Sequence, residues 1–520
     1  MASLLETRDR NVVPRWRDFV TTVRLGELTT GSGSRAAFSA ANLTTQELAW
    51  TENPGLAVAG DLISAAVVIG ATEIAIQASN FVLEQGEQAS HSLRSAALHL
   101  LGRPASPDLG ASIEPPLTNA ASTRMPSPAI ARTRQELMIR PSNAVLWIDL
   151  AYLYAIRGLS EKAERAIRAA LHLAPENRFI LRSAARFLVH QNRPVDAHRL
   201  IRRASTTIDD PWLVSAEIAL SLAANSSPFF AKQGLSLVTS GNFSPQQLSE
   251  LSSALGTLEF SAGNSRKARR HLKSSLERPN DNSLAQATWL AQRVNGLSLE
   301  IPPGEYDIER AFEANTYRAY IKGDWNTSLR SSLEWMHDQP FSGRAAKSAA
   351  YIATTIQQDF DLSEKISKFG QIANPREPAF LISLAYSSAQ KGHLQAATEY
   401  LRRANTVDQE EWLEVAIDAN YGLIAYRDGL PAHGYALYAE AAEKADKLSE
   451  KRVRVNAMVH WAIEEGRFSL EKALAILHQA EESAKRATGP EIKVMIDRAK
   501  SALGLLRPAD SLELKFPKRP

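Results

Sequence analysis

The stretch AVLWIDLAYLYAIRGLSEKAERAIRAALHLAPEN, residues 144–177, decides the fold of this chain. Two apolar stripes at helical spacing flank Gly158, and their members are Val145, Ile148, Tyr152 and Ala155, then Ala163, Ile167, Ala170 and Leu171. Glycine is favoured where a helix ends in a left-handed residue, so we expect Gly158 to end the first helix. Ser160 is expected to cap the second helix and Pro175 to end it. The stretch therefore predicts two antiparallel helices joined by a short turn.

Large and small side chains follow one another in a defined order along this stretch. The order is Trp147, Leu150, Ala151, Tyr154, Ala163, Ile167, Ala170 and Pro175. It resembles the tetratricopeptide repeat, a helix–turn–helix unit of about 34 residues. In such a unit the small residues let two helices approach closely, and the large residues fill the space between one hairpin and the next.

The same pattern recurs along the chain at nearly the same step. The matching stretches are 144–177, 178–211, 212–245, 249–282, 309–342, 343–376, 378–411 and 415–448. A looser ninth hairpin follows around Gly466 and Ala473, and a final helix around 490–505 would cap the array. The resemblance implies an all-α fold, a right-handed α–α superhelical solenoid of tetratricopeptide-like hairpins with an additional N-terminal helical region.

Composition along the chain predicts four segments. Residues 1–102 are predicted to form a partly irregular N-terminal helical region, in which the GSGS at 31–34 has the composition of a flexible spacer. Residues 103–127 are rich in proline, serine and alanine and predict a linker. Residues 128–506 are predicted to form about nine hairpins with a C-terminal capping helix, and residues 507–520 a basic tail.

The overall composition is that of an ordinary soluble protein, with 44% hydrophobic residues, 22% charged residues and a formal net charge of +3. The absence of cysteine excludes disulfides, zinc ribbons and a thiol nucleophile. The N-terminal stretch has no apolar core of signal-peptide length. The most apolar stretch, residues 56–77, is interrupted by Asp61 and Glu73, so we expect a packed hairpin there and no membrane span. These features predict a cytoplasmic protein.

A search for catalytic motifs finds no phosphate-binding Walker loop, no dinucleotide-binding glycine motif, no nucleophile elbow and no HExxH zinc motif. The eleven histidines are scattered, and the carboxylates lie in charged helical faces near basic residues. We therefore predict a protein that is not an enzyme and uses no cofactor or metal ion. An active site within residues 1–102 has almost no support in the sequence.

In the tetratricopeptide family the first helix of each unit lines a concave face, and this resemblance implies a groove here. The expected groove residues are Tyr152, Phe179, Arg182, Arg186, His190, Arg310, Tyr317, Tyr320, Arg344, Lys347, Tyr351, Tyr386, Tyr426 and Arg427. Arg182, Arg186 and His190 follow at steps of four and would form one ridge. The set is basic and aromatic, with Glu250 and Glu313 as acidic exceptions at equivalent places.

These residue types suit an extended acidic polypeptide, because arginine binds carboxylates through two hydrogen bonds and tyrosine adds rigid contact area. The main functional hypothesis is a scaffold or adaptor that binds such a segment of a partner protein. The alternative is a regulatory or sensor subunit that contacts nucleic acid through basic helices. Residues 141–204 hold eleven Lys/Arg against five Asp/Glu, and SRKARRHLKS at 265–274 adds further cations. The sequence leaves the partner and the oligomeric state open.

Overall fold

The computed structural model shows a helical protein. The described residues are 10–25, 40–69, 71–89, 91–103, 127–293, 299–405, 411–487 and 489–505. No strand occurs among them. Nor does any helix in these ranges combine the length and apolarity that crossing a membrane requires.

The chain divides into two compact units. The first unit comprises the described residues between 10 and 314, together with residues 337–341. Its helices are α1 Phe19–Arg24, α2 Ala40–Glu52, α3 Leu56–Ile69, α4 Glu73–Glu84, α5 His91–Leu100, α6 Pro128–Ile139, α7 Ala144–Ile156, α8 Ser160–Leu173, α9 Arg178–His190, α10 Pro194–Arg203, α11 Pro211–Ala223, α12 Ala231–Thr239, α13 Pro245–Ser261, α14 Ser265–Ser275 and α15 Asp281–Arg293.

The second unit comprises residues 315–336 and the described residues from 342 to 505. Most of helices α16 and α17 belongs to it. The helices are α16 Phe312–Ile321, α17 Trp325–Asp338, α18 Gly343–Tyr351, α19 Phe360–Ala373, α20 Pro378–Gln390, α21 Leu394–Ala404, α22 Glu411–Arg427, α23 Pro431–Lys447, α24 Lys451–Glu465, α25 Leu470–Ala484 and α26 Pro490–Ala502. A π-helix, Ile352–Gln357, continues α18.

The hairpin that the opening stretch predicts is present as α7 and α8. Gly158 lies between them with a φ of 68°, which fits the expected left-handed turn. The expected cap is wrong, because Ser160 is already the first residue of α8 and Leu159 precedes it without a side-chain bond. The side-chain cap lies instead at the start of the hairpin, where Asn143 accepts hydrogen bonds from two backbone N–H groups of α7.

The predicted all-α array of tetratricopeptide-like hairpins is confirmed in both units. Helices α7–α8, α9–α10 and α13–α14 follow the predicted steps in the first unit, and α18–α19, α20–α21, α22–α23 and α24–α25 follow them in the second. Helix α15 was not expected, because the pattern has no match between 283 and 308. The described residues between 40 and 100 contain four helices, α2–α5, which agrees with the helical region expected there.

The predicted segment boundaries stay predictions. The linker, 103–127, and the tail, 507–520, lie almost wholly outside the described residues. The described residues of 10–103 belong to the same compact unit as residues 127–314.

Small residues at repeated places allow the helices to pack closely. A cluster formed by Leu181, Ala185, Ala197, Ile201, Leu213 and Ala216 joins one hairpin to the next. Leu381, Ala385, Leu401, Ala404, Leu413 and Ala416 form the equivalent cluster in the second unit. At Gly422 a Cβ atom would lie 2.7 Å from the Tyr438 ring, so this place accepts no side chain. The sequence pattern is therefore a packing pattern.

Candidate functional site

Residues 10–19, here called the N-terminal segment, lie inside the first unit. Residues 10–18 belong to no helix or strand, and α1 begins at Phe19. Arg10, Val12, Trp16 and Arg17 are each at most 2% exposed. A segment without regular structure is thus buried as deeply as the core of the repeats. Its contacts define the candidate functional site.

Trp16 occupies an aromatic pocket. Its ring centroid lies 5.4 Å from that of Tyr152 on α7, 6.0 Å from Phe187 on α9 and 5.3 Å from Phe341. The first two are edge-on contacts, the geometry in which aromatic pairs attract beyond their buried area. The indole N–H is buried, and no acceptor within the described residues takes its hydrogen bond. Tryptophan therefore anchors the segment through apolar contact.

Arg10 is bound by α15 and α16. Its Nε donates to Glu313 Oε1 at 2.9 Å, and its terminal nitrogens donate to Gln286 Oε1 at 2.6 Å and to Asn282 Oδ1 at 3.1 Å. A second bond to Glu313 Oε2, at 3.0 Å, completes a two-point contact with the carboxylate. This planar pairing is specific to a guanidinium group.

Arg15 bridges two carboxylates and one amide. It donates to Asp281 Oδ2 at 3.1 Å, to Glu313 Oε2 at 2.5 Å and to Gln339 Oε1 at 3.1 Å. Burial acts to lower the pKa of this guanidinium, but the charges of Glu313 and Asp281 outweigh it and raise that pKa. Arg15 therefore carries its charge throughout the neutral pH range.

Arg17 donates to both carboxylate oxygens of Asp338, at 3.1 Å and 2.8 Å, and to Asp281 Oδ2 at 2.7 Å. Arg310, one of the expected groove residues, donates to the same Asp338 at 2.5 Å. Burial acts to raise the pKa of Asp338, but Arg17 and Arg310 lower it to about 2. Asp281, Glu313 and Asp338 are hereafter called the acidic cluster.

Two backbone groups of the segment are also held by side chains. Asn282 donates its amide to the carbonyl of Val13 at 3.0 Å, and Asp149 accepts from the Phe19 N–H at 3.0 Å. The Phe19 ring lies edge-on to Phe179, another expected groove residue, at 5.4 Å. Burial and the neighbouring Asp18 charge raise the pKa of Asp149 well above its usual value. The segment is thus held by side chains along its whole length.

Arg182, the first residue of the expected ridge on α9, forms hydrogen bonds within the chain. Arg182 donates to Glu250 Oε2 and to the carbonyl of Trp212, both at 2.9 Å, and lies 5.0 Å from the Trp212 ring. Glu250 accepts two further bonds, from the amides of Asn280 and Asn282 at 3.1 Å. Arg182 is thus part of a buried network.

Arg186 and His190 lie close to the aromatic pocket of Trp16. The Arg186 guanidinium lies 5.1 Å from the centroid of Phe341, and the His190 ring meets Phe341 edge-on at 5.5 Å. Tyr152 contacts the same ring. The structure therefore brings most of the expected first-unit residues together, but around the chain's own N-terminal segment.

The expected groove residues of the second unit are engaged with one another and with carboxylates. Arg344 donates to the Tyr317 hydroxyl at 2.9 Å, and Arg452 donates to the Tyr320 hydroxyl at 3.0 Å. The recorded carboxylate pairs are Lys347–Glu377, Arg427–Glu464 and Tyr426–Glu465. Lys347 and Arg427 keep 35% and 22% of their side chains exposed, so both remain reachable from solvent. Whether any of the fourteen residues binds a partner stays a prediction.

Helix α26 packs across several hairpins of the second unit. Its Glu491 pairs with Arg452 of α24 and accepts from the Tyr351 hydroxyl of α18 at 3.4 Å. Its Arg498 donates to the carbonyl oxygens of Thr355 at 2.5 Å and Ile356 at 2.7 Å. Those carbonyls lie in the π-helix, whose changed register leaves them available as acceptors.

A cavity of about 40 Å³ lies in the second unit beside Tyr386 and His460. The Tyr386 hydroxyl meets His460 Nδ1 at 3.4 Å. Burial lowers the pKa of His460 to about 3, and the charge of Arg498 adds to this effect. Among the described residues, no donor reaches the side-chain amide oxygens, Oδ1, of Asn420 and Asn456. The cavity has room for one or two waters, which would supply those donors.

Sequence reasoning missed the N-terminal segment, because it searched for helical periodicity. The signal was RNVVPRWRDF, with three arginines, two valines and a tryptophan within ten residues. The second signal was the pair of acidic exceptions, Glu250 and Glu313. Each of them holds an arginine in the structure. Within the described ranges, no group of three or more potential ligands is arranged to hold a metal ion.

Comparison with known proteins gives distant structural likeness. No family model matches the chain, and no curated protein matches it. Among solved structures it is similar to the yeast Tom70, with 15% identity over 72% of this chain and 91% of that chain and a TM-score of 0.31. It is also similar to the APC/C hetero-tetramer Cut9-Hcn1, with 12% identity, 88% and 92% coverage and a TM-score of 0.38.

The human IFIT1 dimer with PPP-AAAA aligns with 13% identity, 91% and 96% coverage and a TM-score of 0.32. At these identities and TM-scores the alignments carry no argument about function. The assignment of the fold rests on the hairpins themselves.

Proposed function

We propose that this protein is a non-catalytic interaction scaffold whose first helices bind extended polypeptide segments. One observation carries the proposal: the first unit already holds the N-terminal segment, most of which belongs to no helix or strand, through side chains of α7, α9, α15 and α16. Side-chain recognition of an extended chain is how a helical array binds peptides, since it has no sheet edge to offer.

The charge of the bound partner differs between the two units in this proposal. The sequence predicted an acidic partner, and the partly exposed Lys347 and Arg427 of the second unit support that choice there. In the first unit the described contacts favour the opposite sign, because three buried carboxylates hold three arginines. A scaffold with two binding faces of opposite charge would hold two different segments.

Selection of peptides from a displayed random library on the full-length protein tests the proposal. We expect acidic peptides whose binding weakens in a variant with Lys347→Gln and Arg427→Gln. The matched control is Arg402→Gln on α21, an exposed residue that pairs only locally with Glu399. Failure to select any peptide, or selected peptides that bind both variants equally, would contradict the proposed function.

Contact with nucleic acid is the second candidate function, and helix α14 favours it. Arg266, Lys267, Arg269, Arg270 and Lys273 line one surface depression on this helix. Among the described carboxylates, the ion pair recorded for them is a long one, from Lys267 to Glu259 at 3.9 Å. Cations without close carboxylates suit a phosphate backbone.

The salt dependence of binding separates the two functions. Neutralising four or five phosphates should make the affinity for a single-stranded oligonucleotide fall by roughly fifty- to a hundredfold between 50 and 200 mM salt. Replacing Arg266 and Arg270 with glutamine should flatten this dependence. An oligonucleotide that does not bind at low salt would remove this candidate.

A further inference from the structure

We propose that the acidic cluster of the first unit is a receptor for a basic segment. This segment has an arginine, then four other residues, and then an arginine, an aromatic residue and an arginine in succession. The N-terminal segment is the occupant seen in this structure, and a partner segment of the same chemistry displaces it. This inference rests on the proposed scaffold function and names the partner of one of its faces.

The charge of the site requires a cationic occupant. The side chains of Asp281, Glu313 and Asp338 are at most 5% exposed, and the N-terminal segment supplies three of the arginines that pair with them. Buried carboxylates so close together repel one another and need a counter-charge. An acidic segment would add to this repulsion, so the site selects for basic segments.

The geometry selects arginine over lysine. Arg10 and Arg17 each place two nitrogens against one carboxylate, and Arg15 reaches three acceptors at once. An ammonium group is a point charge without this planar fork. The aromatic pocket beside Phe341 then requires a large ring between the last two arginines.

The mode of attachment suits exchange. The segment forms no backbone ladder with the helices; its recorded backbone contacts to them are the two side-chain bonds of Asn282 and Asp149. Buried ion pairs offset much of their attraction by desolvation, so releasing them into water costs less than their number suggests. The buried indole N–H of Trp16 lacks an acceptor in the described part of the chain, which further lowers the stability of the occupied state.

A nicked full-length protein allows the exchange to be measured. A sequence-specific protease site replaces GSGS at 31–34, and a fluorophore marks the N-terminus. After cleavage the labelled fragment is retained by contacts alone. The competitor is a synthetic peptide of residues 9–25, DRNVVPRWRDFVTTVRL, which includes α1 because that helix is also part of the fragment. Gel filtration measures the fraction of label that leaves the protein.

We expect the peptide in excess to displace the labelled fragment completely. The same peptide with Arg10, Arg15 and Arg17 replaced by alanine should compete at least about a hundredfold more weakly, because it lacks all three arginines that pair with the buried acidic cluster. The lysine version should fall between the two. In the protein, Glu313→Gln should weaken retention of the fragment, whereas the exposed Glu399→Gln should not change it.

Three results would overturn the inference. They are a fragment that stays bound in an excess of the peptide, equal competition by the alanine peptide, and stronger competition by an acidic peptide. In the first case the segment is a permanent structural element. The outcome for the scaffold function is separate: library peptides that bind through Lys347 and Arg427 would uphold it even if the segment never exchanges. Hydrogen exchange of α13 and α14, in the first unit, verifies that the Glu313→Gln variant still folds.

Discussion

The N-terminal segment and helix α26 lie near opposite ends of the chain, and each packs across several helices of its own unit. The segment is extended, and its recorded partners are carboxylates, amides and aromatic rings. Helix α26 satisfies its own backbone, and Ile492, Met495 and Ile496 enter an apolar cluster with α24 and α25. One is held mainly by charge and shape, and the other by apolar burial.

Attachment by apolar burial and attachment by charged hydrogen bonds suit different roles. Apolar burial is non-directional and tolerates many sequences of similar volume, so α26 is suited to a permanent cap. Charged hydrogen bonds are directional. An intact buried pair adds little net stability because desolvation offsets its attraction, whereas removing one partner is costly because it leaves a buried charge unpaired. The segment is therefore specific in sequence and replaceable by a similar one.

Asp338→Ala is expected to have the largest effect. It leaves the buried Arg17 and the partly exposed Arg310 without their shared carboxylate, and breaking the buried Arg17–Asp338 pair in this way costs about 3–5 kcal/mol. Urea unfolding followed by hydrogen exchange and mass spectrometry should show the loss in the first unit. The exposed Glu399→Ala serves as the control and should not change the midpoint. An unchanged first unit would mean that the acidic cluster carries no stability.

Ile496→Ala should destabilise the second unit. Its side chain is 9% exposed within the α24–α26 cluster, and its truncation costs about 2–5 kcal/mol through lost burial and a cavity. The same measurement applies, with Leu505→Ala, half exposed at 51%, as the control. If the first unit weakens instead, the two units do not unfold separately and the comparison fails.

Arg15→Lys sharpens the comparison, because it keeps the charge and removes the fork. Lysine cannot reach Asp281, Glu313 and Gln339 together, so we expect a loss of about 1–3 kcal/mol in the first unit. Arg402→Lys, at an exposed pair on α21, should have no measurable effect. Equal effects of the two substitutions would show that the segment is held by charge alone.

Acid should affect the two units over different pH ranges, with the smallest effects near neutrality. The pKa of Asp338 is lowered to about 2 from 3.8, so its contribution is complete above pH 3.8 and is lost as the pH falls toward 2. The pKa of His460 is lowered to about 3 from 6.5 by burial. His460 therefore binds a proton in the unfolded chain at a pH at which it stays neutral in the folded second unit. The stability of the second unit declines as the pH falls below 6.5.

His460→Gln should remove part of the early acid loss in the second unit, and Asp338→Asn should remove part of the late loss in the first. Unfolding midpoints measured at intervals between pH 7 and pH 2 test both expectations. A wild-type second unit that is no more acid-sensitive than the His460→Gln variant would contradict the assignment.

The repeat positions could be predicted from the sequence because they obey a local rule. Gly158, Ala163 and Ala170 lie where a 34-residue period requires a turn or a small residue, and α7 and α8 follow from them. The site could not be predicted in this way. Glu313 is 303 residues from Arg10 in sequence, and no periodicity connects them.

The array of helical hairpins can be predicted from the sequence alone, since helix packing within a hairpin depends on residues a few turns apart. The sequence also determines which places on the first helices are basic, aromatic or acidic. The groups that these positions on the first helices contact depend on the tertiary structure. An extended segment has no local pattern, because its conformation is set by the side chains that surround it rather than by its own backbone bonds. The charge of the side chains that surround the N-terminal segment is therefore a property of the fold, and it is opposite in sign to that of the residues that first suggested a groove.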